Sequence, residues 1–170
     1  MVIMRLVDIS LSLPVILIAV LLAARVGPSF GNVIFVIALY LWPRFARQIR
    51  GEVLTIKERE FVAHAKVAGC SSTYIMRRHM LPNVIPTLLV LVTLNIGFAI
   101  IFEASLSFLG VGIPPPNPSW GVMVADGKGL IESAWWISLL PGIAIMLLVL
   151  SMNIIGDWIR DSLDPKLRQV

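Results

Sequence analysis

Charge is what this sequence has least of. Asp, Glu, Lys and Arg make up 14% of its 170 residues, while 58% are apolar. A soluble domain carries about a quarter charged residues, so the composition points to a membrane protein. Cysteine is nearly absent too. A single Cys70 excludes an internal disulfide framework and a zinc ribbon. The two histidines, His64 and His79, have no cysteine or acidic cluster beside them to complete a ligand set, so no metal site is expected. The chain shows no short apolar run leading to a small-residue cleavage site, which argues against a removable signal peptide. Nor is there a Ser/His/Asp set or a pair of catalytic carboxylates. Gly121-Val-Met-Val-Ala-Asp-Gly127-Lys128-Gly129 falls short of a phosphate-binding loop: one residue too many separates the first two glycines, and Gly129 stands where a Ser or Thr would hold magnesium. The chain therefore reads as neither an enzyme nor a nucleotide-binding protein, with no cofactor of its own.

What it has instead is long uncharged runs. Ile9–Ala24, Val26–Pro43, Val84–Phe102 and Trp136–Gly156 carry no Asp, Glu, Lys or Arg. Each approaches or exceeds the roughly 17 residues a transmembrane helix needs. The expected architecture is an all-α membrane protein with four transmembrane helices, at about 9–25, 28–44, 84–104 and 136–156. A turn at Arg25-Val-Gly-Pro-Ser29 joins the first two, and Met1–Asp8 forms a short amphipathic lead-in. The 45–83 stretch is a polar loop, and 105–134, rich in Gly and Pro, is a loop on the opposite side. Eight basic residues, Arg44, Arg47, Arg50, Lys57, Arg59, Lys66, Arg77 and Arg78, precede Pro82. With Arg5, Arg160, Lys166 and Arg168 they place twelve of fourteen on one side, leaving Arg25 and Lys128 on the other. The positive-inside rule makes the 45–83 loop and both chain ends cytoplasmic. Trp42 and Trp158 then mark the inner interface, and Trp135 and Trp136 the outer one. The basic residues at 44–59 fit either a skirt facing anionic lipid or structural contacts, and nothing calls for nucleic acid.

Glu60–Asn83 is the longest polar interval, and it reads as helix, break, helix. Phe61, Ala65 and Ala68 share one face of the first helix. Gly69 supplies a positive φ to end it. Ser71 or Ser72 caps a second helix, which Leu81-Pro82 closes. A rigid knob with Tyr74, Met76, Arg77, Arg78 and Met80 on its second helix suits docking to a partner protein.

These residues resemble the cytoplasmic loop of ABC-transporter permeases: Glu-Ala-Ala, three residues, Gly, nine residues, a variable pair, Leu-Pro. Gly69, His79 and Leu81-Pro82 keep that register, whereas Ala63-His64-Ala65 departs from the first two positions of the triplet. Glu60, one turn earlier, places a carboxylate on much the same face. Glu103-Ala-Ser-Leu-Ser-Phe-Leu-Gly110, Pro118-Ser-Trp-Gly121, Gly156-Asp-Trp-Ile-Arg-Asp161 and Leu163-Asp-Pro165 look like segments of the dipeptide, oligopeptide and nickel permease subfamily, closest to the second, C-type, permease of such pairs. The resemblance implies a homologous permease partner and two cytoplasmic ATPase subunits that bind ATP and magnesium. It also implies an extracytoplasmic substrate-binding protein and a location in the cytoplasmic membrane of a prokaryote. Family members usually have six spans, so the resemblance further implies a fragment or shortened form lacking the first two.

Asn95 and Asn153 are the notable polar residues inside the spans, with Glu103 at an outer end. They are candidates for the pathway or gate, weighed against interhelical hydrogen bonding. A secondary transporter is the rival reading. It would be expected to show carboxylates near mid-bilayer, and none lies in the uncharged runs. An incomplete, non-transporting permease is the other.

Overall fold

The computed structural model describes residues 2–163, and every regular element among them is helical: α1 (Val2–Ser12), α2 (Val15–Val26), α3 (Phe30–Lys57), α4 (Glu60–Val67), α5 (Ser72–Ile75), α6 (Leu81–Phe108), α7 (Trp120–Asp126), α8 (Ile131–Ala134) and α9 (Trp136–Leu163). A π turn, Met76–Met80, joins α5 to α6, and a 3₁₀ turn, Gly127–Leu130, joins α7 to α8. Met1 and 164–170, which include Lys166, Arg168 and the Asp164-Pro165 pair, lie outside the described residues.

Among the described residues, two helices are long and apolar enough to cross a membrane: the rod Ser72–Phe108 and Trp136–Ser162. A third span follows if α1 and α2, bent by 80° at their junction, form one. The expected span at 9–25 is thus divided. Pro14 lacks the N–H a continuous helix needs and pushes Leu13 out of the helical region, so the chain turns and restarts at Val15. The expected span at 28–44 forms the first part of α3, which runs on through the buried Pro43 to Lys57. Asn32 near one end and Arg44 and Arg47 near the other cut into its apolar stretch. Beyond Pro43 the residues are mostly good helix formers, so the change from apolar to polar does not stop the helix. The Ser29 hydroxyl accepts from the Asn32 backbone N–H at 3.1 Å and caps its start.

α6 and α9 pack against each other where glycines let two helices close in. A Cβ at Gly97 would stand 2.9 Å from Asn153 Oδ1 and 3.4 Å from a Val149 methyl; one at Gly156 would stand 3.3 Å from both Leu94 and Thr93 side chains. The core is divided in two. One cluster gathers Ala19 of α2, Val33 and Val36 of α3 and Phe102 and Leu106 of α6. Beside it Tyr40, Phe98 and Phe102 stack, with ring centroids 4.6 Å apart for Tyr40–Phe98 and 5.4 Å for Tyr40–Phe102. The Arg44 guanidinium lies 4.0 Å from the centre of the Tyr40 ring, which gives this arginine a structural contact. The second cluster lies under α4. Only 11% of the apolar window of either long helix is buried, so most of both surfaces is left for lipid or other protein.

Candidate functional site

The 60–83 knob is built by two local signals and a small core. Gly69 has φ +76°. Around it the Cys70 N–H donates to Ala65 O and the Gly69 N–H to Lys66 O, both at 3.0 Å, which is the Schellman pairing that ends α4. Ser71 then caps α5, its hydroxyl accepting from the Tyr74 N–H at 3.3 Å. Ile56, Val62, Ala65, Ile75 and Val84 are buried together beneath, with Phe61, Cys70 and Met80 packed against them. The periodic face expected from Phe61, Ala65 and Ala68 is shifted. Val62 is the deepest residue of α4, and Ala68 is exposed at its cap. Val62, Ile75 and Val84, buried beneath the knob, are not singled out from the sequence. Their signal is apolar side chains in an otherwise polar interval.

The second helix does not close at Leu81-Pro82. Ser72–Phe108 is one helix of 37 residues. Pro82 has no N–H to offer, and its ring would press on the carbonyl one turn back. The π turn accommodates this by widening: the Leu81 N–H donates to Met76 O, five residues earlier. The Asn83 side-chain amide donates to His79 O at 2.6 Å, and satisfies another carbonyl of the disturbed turn. The second half of the knob, from Ser72, and the apolar rod are therefore a single piece.

On the knob's surface Glu60, Ala63, His64, Arg77, Arg78, Leu81 and Pro82 are exposed, and Tyr74 is half exposed. His79 is half-buried between the rings of Phe61, 6.0 Å away, and Tyr74, 5.8 Å away. The Arg77 and Arg78 guanidiniums make no ion pair among the described residues. Such a surface, basic and aromatic on a rigid base, can recognise an acidic groove.

At the other end of α6 the structure joins two segments that the sequence holds apart. Glu103 Oε1 accepts from the hydroxyls of Ser107 at 2.6 Å and Ser119 at 2.9 Å. The Ser107 hydroxyl in turn accepts from the Ile113 N–H at 3.2 Å. A Cβ at Gly121 would collide with the Ala104 backbone, and one at Gly112 with Ser107. The 103–110 and 118–121 segments thus form one tightly packed corner, and the stretch expected as a loop at 105–134 contains α7 and α8. Asn95 donates to Leu91 O of its own helix at 2.7 Å. Asn153, exposed, leans on Gly97. Neither makes an interhelical hydrogen bond among the described residues, and the three candidates Asn95, Glu103 and Asn153 do not converge on one cavity. Among the described residues no group of three His, Cys, Asp or Glu could hold a metal ion.

The family described as the inner membrane component of binding-protein-dependent transport systems matches residues 1–169. The chain is 45% identical over 165 residues to a putative peptide transport system permease protein of Brucella suis, covering 97% of this chain and 56% of that one. It is 43% identical over 166 residues to the di/tripeptide transport system permease protein DppC of Pseudomonas aeruginosa, covering 98% of this chain and 55% of the relative. It is 42% identical over 168 residues to the dipeptide transport system permease protein DppC of Escherichia coli, covering 99% and 56%. The chain spans about half the length of the curated relatives it matches.

Proposed function

Because this chain belongs to the family of binding-protein-dependent transport system inner membrane components, we propose that it serves as a permease subunit of an ATP-binding-cassette importer carrying peptides across the cytoplasmic membrane. The observation that carries this reading is the continuity of the knob with an apolar rod, Ser72–Phe108. A push on the exposed face of α5 is delivered directly to a span, and one on α4 reaches it through the packed Val62, Ile75 and Val84.

In this reading two ATPase subunits dock on Tyr74, Arg77 and Arg78 and bind the ATP and magnesium themselves. A homologous permease covers much of the apolar surface left open on α6 and α9. An extracytoplasmic binding protein presents the substrate at the Glu103 corner. ATP-driven closure of the ATPases shifts the spans between inward-open and outward-open packings, each favoured by its own contacts. The knob end faces the cytoplasm. Arg47 pairs with Asp8 at 2.9 Å, which sets α1 against the basic part of α3, and Arg160 borders the same cleft as Arg59 and Pro82, which sets the α9 end near the knob. Peptide is favoured over nickel because the named relatives are peptide permeases.

The test is uptake of a radiolabelled dipeptide, and separately of nickel, by cells lacking their own peptide permeases. The cells express this chain with the ATPases, the binding protein and the partner permease, with and without the N-terminal part of a relative. ATP-dependent dipeptide uptake that is lost in Arg77→Glu/Arg78→Glu is expected. Uptake driven by an ion gradient without ATP, or of nickel alone, would overturn the reading.

A further inference from the structure

At the knob end of the rod, α3, α6 and α9 part to leave a cleft of about 500 Å³. It is lined by Arg59, where α4 begins, and Arg160 of α9, together with Glu52 of α3 and Asn83 of α6. Further along α6 from Pro82, its wall is Val90, Leu91 and Leu94. Neither arginine has a carboxylate within ion-pair reach among the described residues, where Arg47–Asp8 is the pair found. From Pro82 to Leu94 that wall runs about 18 Å along the helix axis. It is polar at the knob end and apolar inward. Phosphate at the interface with hydrocarbon below it has that same profile. A second protein helix does not, because it would bury two arginines away from water without partners.

We propose that this cleft holds one anionic phospholipid of the phosphatidylglycerol type, drawn from the leaflet on the knob side. Its phosphate sits between Arg59 and Arg160, whose planar forks match phosphate oxygens. Its glycerol hydroxyls donate to Glu52, and an acyl chain lies along Val90, Leu91 and Leu94. Basic pockets between spans take such headgroups. Among the residues that line the cleft, two cations face one carboxylate, an excess of positive charge for the lipid's net negative one. Glu52 can accept from a headgroup that has donors, and the net charge of the lining is what selects phosphatidylglycerol over phosphatidylethanolamine. The bound lipid ties the start of α4 to the end of α9, two segments that belong to opposite sides of the cleft. This inference does not depend on which solute the chain transports.

Native mass spectrometry of the delipidated chain in detergent, titrated with phosphatidylglycerol, phosphatidylethanolamine and phosphatidylcholine of matched acyl chains, tests it. One phosphatidylglycerol should bind about tenfold more tightly than phosphatidylcholine. Arg59→Gln/Arg160→Gln should bring phosphatidylglycerol down to the phosphatidylcholine level with helix content unchanged by circular dichroism. Arg50→Gln, on α3 outside the cleft, should leave the preference intact, and Leu91→Trp, which fills the floor, should weaken all three lipids. Should the double variant lose helix content, Arg160→Gln alone decides, by keeping or losing the preference. Equal binding of phosphatidylglycerol and phosphatidylcholine overturns the proposal, as does stronger binding of phosphatidylethanolamine. A preference that survives the arginine substitutions overturns it too.

Discussion

Gly97 of α6 lies directly under Asn153 of α9, so close that a Cβ at 97 would stand 2.9 Å from the Asn153 amide oxygen. The two helices meet here with little room to spare. Gly97→Ala should be mild, since the Asn153 side chain can swing aside. Gly97→Leu must also displace Val149 and should destabilise the helix pair by about 1–3 kcal/mol. Thermal unfolding in detergent, followed by circular dichroism, checks the order Gly97, Ala, Leu.

The hinge at Gly69 is a matter of backbone, not space. Nothing lies within 4 Å of a Cβ built there, but its φ is +76°. Gly69→Asn should therefore be tolerated, since Asn visits this region readily. Gly69→Val should cost about 1–3 kcal/mol of local strain. Co-purification with the proposed ATPases should fall for Val and not for Asn. Loss in both would show that bulk at the surface, and not the turn, is what matters.

The Glu103 corner gives a third prediction. Glu103→Gln keeps an acceptor for the Ser107 and Ser119 hydroxyls and should change stability little. Glu103→Ala leaves the Ser119 hydroxyl, only 8% exposed, without its acceptor. Leaving such a group unpaired costs about 1–3 kcal/mol. Hydrogen exchange across 111–121 should speed up in Glu103→Ala and stay near wild type in Glu103→Gln.

Topology can be read by labelling at two glycines with open space around them, Gly51 and Gly129. Gly127 would be a poor choice, because a Cβ there would collide with Ser138. In a Cys70→Ser background, an impermeant thiol reagent added to sealed cells should modify Gly129→Cys and spare Gly51→Cys. Labelling at Gly51→Cys would invert the proposed orientation.

The knob's punctuation was legible in the sequence because glycine and serine act locally. Gly69 ends α4 and Ser71 caps α5, as their own backbone chemistry dictates. The prolines were harder to read, since a proline's effect depends on its surroundings. Pro14 breaks a helix inside an uncharged run, where hydropathy hides it. Pro43 does not break α3, and Pro82 does not end α5, because a π turn absorbs its missing donor. Charge boundaries misplaced the end of α3 for a related reason: Arg44 to Lys57 suits a helix as well as a loop. The Glu103–Ser119 contact joins residues sixteen apart in sequence, and only folding brings them to one place.

If the knob is pushed as proposed, the unbroken rod through Pro82 acts as a lever with unequal arms. It packs closely on α9 around Thr93–Gly97, opposite Val149, Asn153 and Gly156, and that stretch serves as the fulcrum in this reading. From there the arm toward Ser72 is about 35 Å and the arm toward Phe108 about 20 Å, at the rise of an α-helix. Any swing of the knob end reaches the far end reduced in distance by nearly half and increased in force by the same factor. Such gearing suits a device that must pry open a closed packing with a short stroke.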